Sequence, residues 1–148
     1  MTAPTPKLLV ATELLDQALR LYYEGDSDFA ALHLAGAAEE LLGKHVEAKG
    51  GESSFVSLRD AAVRLSKHFN EDRSASTPKA IANVMNHAKN ATKHMGLKDD
   101  DIVSFDARTE AHDLLDRAVS NYYQAMTEYE LEETELVRRF NHDLTAGA

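Results

Sequence analysis

The sequence predicts an all-α protein, an antiparallel bundle of four to five helices. Apolar residues recur at steps of three and four along most of the chain, which is the period of an amphipathic helix. No window shows the sustained alternation of apolar and polar residues that marks a half-buried strand. Four of the predicted helices are long enough to pack side by side in a bundle.

Residues that favour helix N-caps and helix ends predict the bounds of the first four helices. Serine, threonine and aspartate are favoured at helix N-caps, proline is favoured in the first turn, and glycine commonly ends a helix. The third helix is short, and a polar connection over 70–77 separates it from the fourth. The first helix is predicted between Thr5-Pro6 and Gly25, and the second between Asp26 or Ser27 and Gly50-Gly51. The third runs from Ser53 or Ser54 to Phe69, and the fourth from Thr77-Pro78 to Gly96.

The spacing of apolar residues also predicts which face each helix buries. The second helix carries a buried stripe at Phe29, Leu32, Gly36, Leu42 and Val46. The fourth carries another at Ile81, Val84, Ala88, Ala91 and Met95.

A last helix is predicted from about Phe105, after a loop that contains Asp99, Asp100 and Asp101. No Gly or Pro interrupts this segment before Gly147, so we expect the helix to extend beyond the body of the bundle. Its acidic tract at 128–135 is then a solvated face or a surface that docks a partner. We expect residues 1–148 to form one domain, since single domains cluster at about 100–150 residues.

Composition excludes several classes of function. The chain has no Cys, which excludes disulfides, thiolate metal sites and a Cys nucleophile. It shows neither a signal peptide nor the roughly 18–20 apolar residues of a membrane span, so we expect a cytoplasmic protein without a membrane partner. The formal net charge of −9 opposes a general electrostatic clamp on nucleic acid. Any contact with nucleic acid must therefore be local.

One segment, residues 73–98, contains no Asp or Glu although the rest of the chain is strongly acidic. This contrast indicates a local surface that faces an anion. The alternative is an ordinary solvated face whose acids fall elsewhere by chance. The cations of the segment are Arg73, Lys79, Lys89, Lys93 and Lys98.

A polar stripe runs along the predicted fourth helix, with Lys89 and Lys93 flanking it. Asn and His are weak helix formers, so their concentration on one face points to a role. Histidine ionises near neutral pH and can transfer protons, while a neighbouring cation stabilises charge on phosphate. These groups suit metal-independent cleavage of RNA; the alternative is a polar dimer seam. The stripe consists of Asn83, His87, Asn90 and His94.

Metal and cofactor sites are not predicted. No Glu is followed by a His three residues later, and the His-Glu-x-x-His motif is missing. His87 and His94 stand about 10 Å apart along a helix, which is too far for one ion without further ligands. Glu39 and Glu40 lie within the apolar second helix, and we expect one of them to form an internal ion pair with an Arg or Lys of a neighbouring helix.

Three stretches together resemble the HEPN family of small helical bundles, over roughly residues 8–125. DFAALHLAGAAEELLGKHVEA is similar to the family's second helix, an alanine-rich run that leads into an acid pair and a cationic position. KNATKH, residues 89–94, resembles the family motif of an arginine, usually a polar residue next, and a histidine after four to six intervening positions. EAHDLLDRAVSNYY resembles the last helix of the bundle.

The resemblance implies a homodimer whose two motif helices meet at a shared cleft. Many members are metal-independent ribonucleases, including toxins of toxin–antitoxin modules, whereas others only bind or assemble. By position, His94 takes the histidine role, Asn90 the polar role and Lys89 the place of the arginine. The lysine departs from the motif because it offers one point charge instead of a planar fork.

Two functions therefore stay open. The first is a module that binds RNA or a nucleotide through the fourth helix and cleaves RNA with His94 as general acid and base, aided by Lys89 and Asn90. Its further contacts with RNA would come from His87, Lys93, Asn83 and Lys79. The second is a non-catalytic dimeric interaction protein, with a protein partner such as an antitoxin.

Overall fold

The structure is a computed structural model that describes residues 2–96 and 99–147, which contain seven helices and no strand. The prediction of an all-α protein is confirmed for these residues, which form seven helices and not the four to five that the sequence predicts. The helices are α1 (Lys7–Glu24), α2 (Asp28–Ala48), α3 (Ser54–Ser66), α4 (Pro78–Met85), α5 (His87–Ala91), α6 (Ala107–Glu128) and α7 (Glu135–Ala146).

Of the four predicted N-caps, those at Ser53 and Thr77 form, whereas Ser27 precedes α2 without a side-chain cap hydrogen bond. The hydroxyl of Thr77 accepts a hydrogen bond from the Ala80 amide at 3.1 Å, and Ser53 caps α3 in the same way. Gly25 ends α1 with φ at 85°, in the left-handed region that glycine adopts without strain. Thr5 is not a cap, since α1 begins after Pro6 and has no side-chain cap.

The start of α6 has a cap that the loop acids supply. The Asp106 carboxylate accepts a hydrogen bond from the Thr109 amide at 2.8 Å. This bond lowers the pKa of Asp106 below its ordinary value, because it stabilises the charged form. Asp106 therefore acts as the N-cap of α6.

The three long helices do not alternate in direction. Arg108, at the start of α6, lies 3.1 Å from the carboxylate of Asp28, at the start of α2. Tyr129, just past the end of α6, donates a hydrogen bond to the carbonyl of His45 near the end of α2. These helices are therefore parallel, and α1, joined to α2 by a short turn, is antiparallel to both. The predicted antiparallel arrangement is wrong for α2 and α6, because α3, α4 and α5 form a crossover between them.

The last predicted helix is in fact two. After α6, residues 129–134 reverse the chain, and α7 packs back on α1 with Val137 and Phe140 buried. The hydroxyl of Tyr122 donates to the carbonyl of Glu132 at 2.6 Å, which holds the reversal against α6. The expectation of a helix that extends beyond the bundle is wrong, because α7 has an apolar face that folding back removes from water.

The core lies between α1, α2, α6 and α7, and one residue of α5 reaches it. On α2 the predicted stripe is buried except at Phe29, which is half exposed. The largest apolar side chains that are almost fully buried are Tyr122, Phe140, Leu15, Leu19, Leu32, Leu42, Leu115, Val119 and Val137.

Candidate functional site

The predicted fourth helix is broken at Asn86, so residues 78–91 form α4 and α5 and not one helix that runs to Gly96. The backbone of Asn86 has φ −100° and ψ 2°, outside helical values. Because of this break, the residues predicted to form one apolar face do not all face the core. Ala88 is buried, but Val84 and Met95 are about three-quarters exposed, which corrects their assignment to a buried stripe.

Lys89 lies in the interior, not beside the polar stripe. Only 9% of its side chain is exposed, and its Nζ lies 3.5 Å from Oε2 of Glu39 and 3.7 Å from Oε2 of Glu40. The aliphatic part of the side chain crosses α2 at Gly36, where a Cβ would stand 2.7 Å from the Lys89 Cδ. Gly36 is therefore the position that lets the lysine reach the acids.

Glu39 is held by a second cation, Arg117 of α6, whose Nε lies 3.7 Å from Glu39 Oε1. The prediction that an acid of this pair meets a cation of a neighbouring helix is confirmed for Glu39, whereas Glu40 is exposed. Sequence reasoning did not single out Arg117. Its spacing could have indicated that Arg117 is buried, since it shares a face of α6 with Leu114 and Asn121.

A hydrogen-bonded frame surrounds this charge cluster. Asn121 donates to the carbonyl of Glu39 at 3.2 Å and accepts from the amide of Ser54 at 2.8 Å. The Ser54 hydroxyl donates to the carbonyl of Arg117 at 2.8 Å. These bonds join α2, α3 and α6 at one point and fix the cluster in place.

The charged atoms inside this frame lack close partners. Glu39 Oε2, Arg117 Nε and Arg117 Nη2 are buried, and no protein group hydrogen-bonds them. The side-chain oxygen of Asn86 is also buried, and no protein group hydrogen-bonds it. A buried polar atom without a hydrogen bond is costly, so the ion pairs of Glu39 with Lys89 and Arg117 compensate for part of this cost.

A cavity of about 140 Å³ adjoins the cluster. The exposed side chains of Glu40 and Lys44 stand at its rim, and Phe55 forms an aromatic wall. Its lining residues are Glu39, Glu40, Gly43, Lys44, Glu47, Ser53, Phe55, Asn86 and Lys89.

The other predicted site residues are at the surface. His87 lies edge-on to Phe105, with ring centroids 6.1 Å apart. Asn90 and His94 are one turn apart, and the His94 amide donates to the Asn90 carbonyl at 3.1 Å. Lys98, the last cation of the acid-free segment, lies outside the described residues. The exposed residues are Asn83, His87, Asn90, His94, Lys79 and Lys93.

Acids approach one end of this surface. Lys93 and His94 share a shallow pocket with Asp100 and Asp101, and Asp100 accepts a hydrogen bond from the Gly96 amide at 2.6 Å. The structure thus brings His94 close to one exposed cation, Lys93, and separates both from Lys89.

Within residues 2–96 and 99–147, no three His, Asp or Glu side chains stand close enough together to bind a metal ion. The helices of these same residues include none with the length and apolar character needed to cross a membrane. No family model, no curated protein and no solved structure matches the chain.

Proposed function

We propose that this protein binds single-stranded RNA through the exposed surface of α4, α5 and the turn that follows. The observation that supports this most is the distribution of charge. The described part of the acid-free segment, 73–96, keeps Lys79 and Lys93 at the surface, while its buried cation, Lys89, is neutralised by acids of α2. Exposed lysines bind phosphates, and exposed Asn and His side chains can donate to RNA.

Cleavage of the bound RNA would depend on His94. A 2′-hydroxyl is an internal nucleophile, and a histidine can take its proton and supply one to the leaving oxygen. The cation that steadies the phosphate would then be Lys93, because Lys89 is buried and engaged by two carboxylates. His94 is the general acid and base in this mechanism, and Asn90 is a positioning residue.

Labelled single-stranded RNA tests both parts in the presence of EDTA. We expect wild-type protein to bind RNA, and Lys93→Ala to weaken binding several-fold with an unchanged circular-dichroism spectrum. His94→Ala should abolish any cleavage to 2′,3′-cyclic phosphates and leave binding nearly intact. Lys44→Ala, at an exposed lysine outside the segment, is the matched control. Absence of RNA binding, or equal loss in Lys44→Ala and Lys93→Ala, would contradict the proposal.

A second candidate, docking of a second copy of this chain, is supported by exposed apolar side chains. Met95 and Ile102 are about three-quarters exposed. They stand beside an apolar groove of about 650 Å³ that includes Ala91 and Val103 in its lining. A twofold interface must be complementary to itself, and here protruding and concave apolar parts adjoin one another.

Sedimentation velocity tests this candidate. We expect a dimer that Ile102→Asp converts to a monomer, because a charge would be buried at the interface. Leu65→Asp is the control, since Leu65 is also more than half exposed but lies on α3. A monomeric wild type, or dissociation by both substitutions alike, would exclude this face as the interface.

A further inference from the structure

A groove of about 320 Å³ between α3, α4 and α6 has an exposed apolar wall. Leu58 of α3 is half exposed there and Val84 of α4 is three-quarters exposed, and the buried Leu114 of α6 also lines the groove. In the described part of the chain, α4 has no buried residue and α3 has one, Ser54. The apolar wall is therefore largely open to water, which is typical of a surface that binds a partner.

The α6 side of this groove carries a row of acids. Glu110, Asp113 and Asp116 line it at steps of three along the helix, and the side chain of Asp113 is 67% exposed. No Lys or Arg among the described residues forms an ion pair with these three acids, and Arg117 in the same lining is already paired with Glu39. The groove therefore presents uncompensated negative charge beside an apolar wall.

We propose that this groove binds a cationic amphipathic helix of a partner protein. Such a helix presents apolar residues at steps of three and four, and these would pack on Leu58 and Val84. Lys or Arg residues on one flank of the helix would then meet the acids of α6. The partner is thus complementary to the groove in both apolar character and charge.

Other occupants match the groove less well. The three acids repel the phosphates of RNA and of anionic lipids. A second copy of this chain, docked by the same groove, would bring two rows of acids into one twofold interface. None of the lining residues is assigned to RNA, so this inference goes beyond the proposed function and does not depend on it.

The probe is a synthetic peptide of about 15 residues with leucines at helical spacing and lysines between them. Fluorescence anisotropy measures its binding to the full chain. One control peptide has the same composition in an order without an apolar face, and another has glutamate in place of lysine. We expect a dissociation constant below about 100 µM for the probe and roughly tenfold weaker binding of both controls.

Reversal of charge at the groove should weaken this binding. We expect Asp113→Lys combined with Asp116→Lys to raise the dissociation constant of the probe about tenfold, with an unchanged circular-dichroism spectrum. The matched control combines Glu13→Lys with Asp26→Lys, at exposed acids outside the groove, and changes the net charge equally. It should alter the dissociation constant less than about twofold.

A second pair of variants tests the apolar wall without changing charge. Val84→Ser should weaken binding of the probe several-fold, because the peptide loses an apolar contact. Leu65→Ser, at an exposed leucine of α3 that does not line the groove, is its control and should have little effect.

Several outcomes would overturn the proposal. Equal effects of the two double substitutions would show that the probe responds to net charge and not to the groove. No binding near about 100 µM, or equal binding of the three peptides, would exclude the proposed partner. A wild-type dimer that Val84→Ser dissociates in sedimentation velocity would assign the groove to a second copy. Lys93→Ala should leave binding of the probe unchanged, so failure of RNA binding and failure of peptide binding are separate results.

Discussion

At the scale of single residues, Lys89 shows how burial changes the role of a charge. An exposed lysine is free to meet phosphate, but a lysine with 9% of its side chain exposed needs acids to compensate for lost hydration. Glu39 and Glu40 provide them. The same residue that the motif suggests as a catalytic cation is therefore an internal link between α5 and α2.

Replacing Lys89 should accordingly cost stability. We expect Lys89→Met to lower the free energy of unfolding by about 3 kcal/mol, because it leaves Glu39 with a single cation. Urea unfolding monitored by circular dichroism measures this change. Lys93→Met, at the exposed lysine one turn further on, should stay within about 0.5 kcal/mol of wild type. Equal effects of the two substitutions would show that the buried pair does not contribute.

At the scale of elements, tyrosine–carboxylate bonds fasten α7 to α1 and the chain reversal before α7 to α6. Tyr23 donates to Asp143 at 2.6 Å, and Tyr123 donates to Glu133 at 2.7 Å. Burial, followed by the bond to Glu133, raises the pKa of Tyr123 to about 12. The bond from Tyr23 lowers the pKa of Asp143 below its ordinary value of 3.8.

The lowered pKa of Asp143 predicts that acid weakens the attachment of α7. A carboxylate with a lowered pKa in the folded state stabilises that state above the ordinary value of 3.8, and the contribution is lost as the pH falls through the lowered value. We expect amide exchange in α7 to accelerate below about pH 4 relative to α2. Asp143→Asn should remove part of this acid dependence, whereas Asp26→Asn, at an exposed residue in a turn, should not.

The raised pKa of Tyr123 predicts that alkaline pH also weakens the folded state. Its pKa is raised in the folded state, so its contribution is present below the ordinary value of 10 and is lost as the pH rises through about 12. A spectrophotometric titration should show Tyr123 ionising late, and Tyr123→Phe should remove one late-ionising group. If that group instead ionises near pH 10, the hydrogen bond to Glu133 is not formed.

The sequence predicts elements better than it predicts where they pack. The helical class, the caps at Ser53 and Thr77 and an ion pair at Glu39 all follow from local rules. The chain reversal after α6 does not, because no Gly or Pro marks it. It depends instead on tertiary bonds, such as Tyr122 to the carbonyl of Glu132.

The candidate site shows the same limit. Helical spacing correctly assigns His94 and Asn90 to the surface, but it also assigns Lys89 there. The position of Lys89 depends on a break at Asn86 and on the absence of a side chain at Gly36, and both act only after the helices have packed. The spacing of residues along one helix does not show which residues of another helix will pack against it.

At the scale of the whole molecule, charge is distributed unevenly. The net charge is −9, yet residues 73–96 contain no acid, so an approaching polyanion meets repulsion at long range and attraction only at contact. The acids near Lys93, such as Asp100 and Asp101, shorten the range of that attraction. Salt therefore eases the approach of a polyanion and weakens its contacts with the surface lysines. Both effects follow from screening, since the Debye length falls from about 30 Å at 0.01 M to about 10 Å at 0.1 M.

This asymmetry predicts an unusual salt dependence for the RNA binding that we propose. The association rate constant should rise as salt increases from about 0.01 to 0.1 M, because screening removes repulsion by the acidic remainder. The dissociation rate constant should rise as well, because salt competes with the contacts of Lys79 and Lys93. Stopped-flow fluorescence with labelled RNA separates the two rates. Lys93→Ala should change dissociation far more than association. An association rate that falls steeply with salt would show that RNA is attracted at long range, which is incompatible with binding confined to one local surface of an acidic protein.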